Sequence, residues 1–171
     1  MIKSPQKALL FQAVTANDHK YFSEIESLLK RYYGGIQSQF GPFNFDIFSN
    51  YYLNEMGEDL LKIFYIFKTP VSLENFYRFK LESQSLENKF LANGKRTVNI
   101  DPGSLTLYQL SLLTTKAFSH RTYLAEGIYA ECTLIAEAKE YKSLAWTYPD
   151  YQTPEALEFF KEAKKFLKTL T

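Results

Sequence analysis

The sequence predicts an α+β fold: a single globular domain over residues 1–171, with a mixed, mainly antiparallel sheet packed by about four helices. Three observations lead there. Short apolar runs alternate with stretches whose apolar residues recur every three or four positions. The turn signals in the C-terminal half are hairpin-sized. The regular strand–helix alternation of a doubly wound parallel sheet is not sustained, and 171 residues suit one domain with a core of its own.

Residues 7–15 are short, nearly all apolar and followed by turn residues, the pattern of a buried strand. Asn17 or Asp18 can cap the helix that follows. In it Tyr21, Phe22, Ile25, Leu28, Leu29 and Tyr32 form one apolar face, and Gly34-Gly35 stops it. Phe43, Phe45 and Ile47 alternate with Asn44 and Asp46, a half-buried strand pattern. Residues 60–68 read as a central strand that Pro70 ends. Ser72 can cap a second helix through Leu73, Phe76, Phe79, Ser83, Leu86 and Phe90, with Asn93-Gly94 at its end.

Residues 96–100 read as a short strand. Asp101-Pro102 then has the form of a helix start, with Asp accepting a first-turn N–H and Pro needing none. A buried, leucine-rich helix over residues 103–117 is expected after it. Glu126-Gly127 marks a hairpin between residues 122–125 and 128–137, and residues 140–146 should add a third antiparallel strand. Tyr148-Pro149-Asp150-Tyr151 is irregular, and Thr153-Pro154-Glu155 opens the last helix.

Composition excludes several classes. Twenty Lys and Arg against 19 Asp and Glu leave a formal charge of +1, no basic surface for nucleic acid and no acidic tail. Nucleic acid is therefore an unfavoured partner. One cysteine and two histidines argue against a disulfide and against a zinc site, and no metal is expected. With no 18-residue apolar run and no signal-peptide pattern, the expectation is a cytoplasmic protein without a membrane anchor. Gly94-Lys95-Arg96 fails the P-loop pattern, and neither a Gly-x-Gly-x-x-Gly nor a Gly-x-Ser-x-Gly sequence occurs. Cofactors stay unassigned. The unusual feature is aromatic content: 13 Tyr, 15 Phe and one Trp.

One polar constellation stands out in the second half. It comprises residues 99–103, Thr114-Thr115-Lys116 with Ser119-His120-Arg121, and Tyr129 and Glu131 with residues 146–151. Strand alternation puts Tyr129, Glu131 and Thr133 on one face, and Ile128, Ala130, Cys132 and Leu134 on the other. The candidate catalytic groups are Asp101, His120 and Glu131, with His120 titrating near neutral pH and a carboxylate orienting it. Lys116, Arg121, Tyr129, Trp146, Tyr148 and Asp150 are the candidate ligand-binding groups. Each has a plainer competing role. Asp101 serves as a helix cap, Lys116 as a cation in a last helical turn, and His120 as a structural histidine. Arg121–Glu131 serves as a cross-strand ion pair, residues 146–151 as a packing plug, and Cys132 as an inert core residue.

These same residues carry a family resemblance. Val98-Asn99-Ile100-Asp101-Pro102-Gly103, Thr114-Thr115-Lys116, Ser119-His120-Arg121 with Tyr123-Leu124, Gly127-Ile128-Tyr129-Ala130-Glu131 and Trp146-Thr147-Tyr148-Pro149-Asp150-Tyr151 resemble motifs of the prokaryotic domain-of-unknown-function family 4416. Tyr51-Tyr52 and Glu55-Met56-Gly57 correspond upstream, while Ser104 and Asn50 depart from its frequent aromatic and Asp. The resemblance spans essentially the whole chain and implies one intact prokaryotic cytoplasmic domain with no established activity. Some relatives carry a GTP-binding label, but Asn88-Lys89-Phe90-Leu91 lacks the Asp of a guanine motif.

The expected function is the binding of a small phosphate- or carboxylate-bearing ligand in a polar pocket, with catalysis left open. The alternative is a non-catalytic interaction or homodimer-forming module that uses aromatic loops at residues 40–56 and 141–151.

Overall fold

The structure, a computed structural model, describes Met1 and residues 5–170. The eight strands among the described residues form one sheet in the order β2-β3-β1-β4-β5-β7-β6, with β8 pairing β7 beside β6. They are β1 (Lys7–Ala16), β2 (Ile36–Asn44), β3 (Leu61–Ser72), β4 (Val98–Leu105), β5 (Gln109–Thr114), β6 (Arg121–Ala125), β7 (Ile128–Glu137) and β8 (Glu140–Ser143). Every ladder between them is antiparallel. The helices are α1 (Lys20–Tyr33), a single turn α2 (Leu53–Met56), α3 (Arg78–Glu87) and α4 (Pro154–Thr169), with short 3-10 turns at Asn88–Phe90 and Pro149–Tyr151. The α+β class is as the sequence predicts, and four helices occur among the described residues, with α2 an addition to those the sequence placed.

Both faces of the sheet are covered, which explains why β1 and the middle of β3 are continuous apolar runs rather than alternating ones. On one face Phe22, Ile25 and Leu29 of α1 and Leu86 of α3 pack on Leu10, Val14, Tyr65 and Ile100. On the other, Ala156, Phe160, Ala163 and Leu167 of α4 pack on Leu9, Phe11, Phe64 and Leu112. Asp18 Oδ1 accepts from the Lys20 N–H at 2.9 Å, and Gly34, at φ +86°, closes α1. Thr153 caps α4 by accepting from the Ala156 N–H, as expected of Thr-Pro-Glu.

Three expectations need correcting. Residues 103–117 are not a helix: the end of β4 and all of β5 occupy them, joined by a turn whose Tyr108 and Gln109 N–H groups donate to Thr106 Oγ1. A segment that is apolar on every side carries no period, so burial on both faces of a sheet reads like a buried helix. Asp101 is therefore no helix cap, and Lys116 lies in no helical turn. The second helix starts at Arg78 rather than Ser72, because Asn75 adopts φ +54° and interrupts helical geometry. Pro70 does not end β3, which continues to Ser72 past an irregularity in its pairing with β1 between Leu9 and Phe11.

The feature that makes room for a site is a split in the sheet. β4 pairs with β1 along its whole length, yet with β5 only at Gly103, Ser104 and Leu105. Below Gly103 the edge of β4 facing β5 is open. Helix α3 fills the gap with side chains. Glu87 Oε1 accepts from the Ile100 N–H at 2.6 Å, and Lys80 Nζ donates to the Ile100 carbonyl at 3.0 Å. Two side chains seven residues apart, on one helical face, thus replace a strand partner. Pro102 turns its missing N–H to the same open edge, since it lies two residues beyond Ile100. Gly103 is where the strands meet most tightly: a Cβ there would lie 2.5 Å from the Ser111 carbonyl oxygen. Gly103→Ala should destabilise the protein by about 1–3 kcal/mol in urea denaturation, from overpacking against backbone that cannot retreat. An unchanged unfolding midpoint would contradict this account of the split.

Candidate functional site

A cleft of about 480 Å³ opens at this split. Cross-strand registry sets its floor on the face that carries α4. Lys62 and Asn99 flank Thr15, Asp101 flanks Ala13, and Leu112, Glu131 and Arg121 form a row across β5, β7 and β6. One wall is residues 45–55, which bring Phe45, Phe48, Tyr51 and Tyr52; the other is residues 148–151. The aromatic excess of the sequence is thus divided. Phe11, Phe64, Tyr151 and Phe160 stack edge to face or flat in the core, while the rings of both loops line the cleft.

The second wall is fixed to β7 by a local irregularity. Leu110 pairs with Leu134 but Ser111 with Cys132, so β7 holds one extra residue at Thr133. The two carbonyls at this bulge are taken from outside the sheet. Trp146 Nε1 donates to the Cys132 carbonyl at 2.8 Å, and Thr147 Oγ1 to the Thr133 carbonyl at 2.5 Å. The bulge also corrects the predicted facing of β7. Leu134 joins the α4-side core, the side of Leu112 and its partner Glu131, instead of sharing a face with Ile128 and Ala130. Glu131, on that same side, is buried, 2% exposed.

Five cations and five carboxylates line the cleft, and most are paired. Lys62 Nζ meets Asp150 Oδ2 at 2.6 Å, both nearly solvent-free, under the rings of Phe45, Phe64 and Tyr151. Lys80 Nζ lies 2.9 Å from Asp101 Oδ1, and Asn99 Nδ2 donates to Asp101 Oδ2 at 2.7 Å. Arg96 donates to Asn99 Oδ1, pairs with Glu55 and stands 5.3 Å from the Tyr52 ring centre. Burial alone would raise the Asp101 pKa, but Lys80, Lys62 and Asn99 together hold it below the usual carboxylate value. Burial pushes Glu87 up despite Lys80 and the Ile100 N–H, and raises the Tyr52 and Tyr151 phenols well above normal. The Cys132 thiol is also raised, by burial and by Glu131, as befits an unreactive sulfur.

Arg121 knits the far side of the cleft together. Its Nε donates to Glu131 Oε2 at 2.7 Å, its Nη1 to the Lys116 carbonyl at 3.1 Å and its Nη2 to the Tyr148 hydroxyl at 3.0 Å. His120 Nε2 lies 3.0 Å from the same Glu131 Oε2, and its ring stacks on Trp146 at 4.8 Å. Lys116 has no carboxylate partner among the described residues; its ammonium sits 4.1 Å from the Tyr51 ring centre. Partial burial and the neighbouring Arg121 charge lower its pKa.

Of the residues singled out from the sequence, Asp101, Glu131, Lys116, Arg121, Tyr148 and Asp150 line this one cleft. His120, Tyr129 and Trp146 do not. His120 and Trp146 stand behind Glu131, and Tyr129 packs against Tyr123 across the β6–β7 hairpin. Sequence reasoning missed Lys62, Lys80, Glu87 and Arg96 as cleft residues. The available signal was on α3: Lys80, Ser83 and Glu87 recur at helical spacing beside the apolar stripe, a second face that is also buried.

Among the described residues no group of His, Cys, Asp and Glu is placed to hold a metal ion, and no helix is long and apolar enough to cross a membrane. No curated protein and no solved structure shows significant similarity to the chain. Residues 6–166 match the family described as a domain of unknown function (DUF4416), and with nearly the whole length of its sequence covered the protein belongs to that family.

Proposed function

We propose that the cleft binds a small anion-bearing ligand and that Lys116 meets its charge. The observation that carries this reading is the state of Lys116. The other four cations of the cleft are committed to carboxylates: Lys62 to Asp150, Lys80 to Asp101, Arg96 to Glu55 and Arg121 to Glu131. Lys116 alone, among the described lining residues, lacks such a partner, and it lies beside Arg121. Two neighbouring cations, one of them unpaired, favour an anion between or above them. Tyr51 and Phe48 would supply an apolar shelf for the rest of the ligand.

Within this reading the roles differ from the sequence expectation. Asp101 has both oxygens engaged by Lys80 and Asn99, so it acts as a structural anchor. His120 holds Glu131 rather than being oriented by it, because Glu131 borders the cleft and His120 does not. Phe45 and Tyr151 are buried and Tyr52 is half-buried along the cleft, which supports these rings as cleft walls, while Ile47, Tyr51, Trp146 and Tyr148 of the same loops stay exposed.

A panel of phosphate- and carboxylate-bearing metabolites should contain compounds that raise the melting temperature of the native protein. Lys116→Gln should weaken their binding by about tenfold or more while changing stability by less than about 0.5 kcal/mol, since its side chain is at the surface. Binding should also fade as pH rises through the Lys116 pKa, which lies below 10.5. Undiminished binding by the variant would remove Lys116 from the site.

A further inference from the structure

Glu131 presents an observation that the anion reading leaves unused. Its Oε2 is crowded, taking both the Arg121 Nε and the His120 Nε2 contacts. Its Oε1 is buried and has no hydrogen-bond partner among the described residues, although the side chain borders the cleft. A buried carboxylate oxygen without a donor is costly, and proteins rarely keep one without a reason. Here the arrangement is built rather than incidental. Arg121 pins the carboxylate from one side, Trp146 backs the His120 ring, and the bulge in β7 fixes Trp146 in turn. Rotation of the carboxylate to satisfy Oε1 would forfeit two contacts on Oε2.

We propose that Glu131 Oε1, which its neighbours cover in this structure, is uncovered by side-chain movement as the ligand enters and accepts a hydrogen bond from it, so that the ligand is an anion that also carries a hydroxyl or ammonium donor. This rests on the anion reading for Lys116. Arg121 links the two groups: its Nε holds the Glu131 carboxylate and its charge acts on the Lys116 ammonium. One small ligand that meets both must carry its donor and its anionic group on the same short skeleton. Hydroxylated phosphate esters and amino-substituted phosphate esters share this chemistry. Bare phosphate and simple alkyl phosphates lack it.

The test is calorimetric titration of the full chain with three probes of similar size: sn-glycerol 3-phosphate, 2-aminoethyl phosphate and n-propyl phosphate. At least one donor-bearing probe should bind about tenfold or more tightly than n-propyl phosphate. Which of the two does so distinguishes hydroxyl from ammonium. Glu131→Gln, whose amide can keep oxygen toward Arg121 and so turn an N–H₂ toward the ligand, should shrink that gap to within about twofold, with n-propyl phosphate bound no more weakly because Arg121 loses its carboxylate partner. Equal binding of all three probes overturns the donor inference and leaves the anion site standing. A gap that survives Glu131→Gln also overturns it, by putting the donor's partner elsewhere. Failure of all three to bind overturns the anion reading along with it. The comparison among probes in the unaltered protein holds even if the variant does not fold.

Discussion

Replacing Asp150 with Ala is expected to cost about 3–5 kcal/mol of stability. The pair it forms with Lys62 is 2.6 Å long, with side-chain exposures of 2% and 7%, so water screens neither charge. Removing the carboxylate leaves the ammonium enclosed by Phe45, Phe64 and Tyr151, at 4.7, 5.5 and 5.1 Å from their ring centres. Cation–π attraction to those rings is worth about 2 kcal/mol when desolvated, which offsets only part of the loss. The contrast is a double variant, Lys62→Met with Asp150→Ala, which removes the stranded charge and should recover much of the deficit. Urea denaturation of the three proteins measures this directly. A single-variant loss below about 1 kcal/mol, or a double variant no better than the single one, would mean that the pair is solvated in solution.

The same pair shows why part of the site was legible in the sequence and part was not. Residues 146–151 stood out because Trp, Tyr, Pro and Asp in an irregular stretch demand some tertiary reason, and Asp150 is one of the residues that supply it. Lys62 gave no such sign: it lies at the start of an apolar run, where a lysine reads as the solvated end of a strand. Only the registry Thr15↔Lys62 and Thr15↔Asn99 puts it on the cleft floor. Strands β1 and β3 and helices α1 and α4 could be read because burial on one or both faces leaves a local period or a local run. The split between β4 and β5 could not. It arises from where two strands stop pairing, a non-local fact that Asp101-Pro102-Gly103 imitates as a helix start. Glu131 lies between these cases. Alternation separated it from Ala130 correctly, but the bulge at Thr133, which turns Leu134 to the same α4 side, leaves no mark in composition.

The other large effect belongs to Lys80, the residue that closes the open edge of β4. Lys80→Met should cost about 3 kcal/mol near neutral pH, because it strands the Ile100 carbonyl and takes the cation from Asp101. The loss should depend on pH, with a sign fixed by Asp101. In the native protein burial works to raise the Asp101 pKa, and Lys80 is the largest of the influences that reverse it, bringing it below 3.8. A depressed carboxylate contributes stability that is present above the unfolded pKa and is lost as pH falls through the folded one. Without Lys80 the Asp101 pKa moves up and that contribution shrinks. The gap between native protein and variant is then widest near pH 7 and narrows as acid protonates Asp101, first in the variant and last in the native protein, whose Asp101 pKa lies below 3.8. Glu87 bears on the same edge with the opposite sign: its raised pKa favours the protonated form, and losing Lys80 raises it further, so both carboxylates narrow the gap at low pH. Denaturation midpoints across this range would show a deficit that fades with acid. A deficit of constant size would place the cost of losing Lys80 in packing alone, and the bridge from α3 to the edge of β4 would then be steric rather than electrostatic.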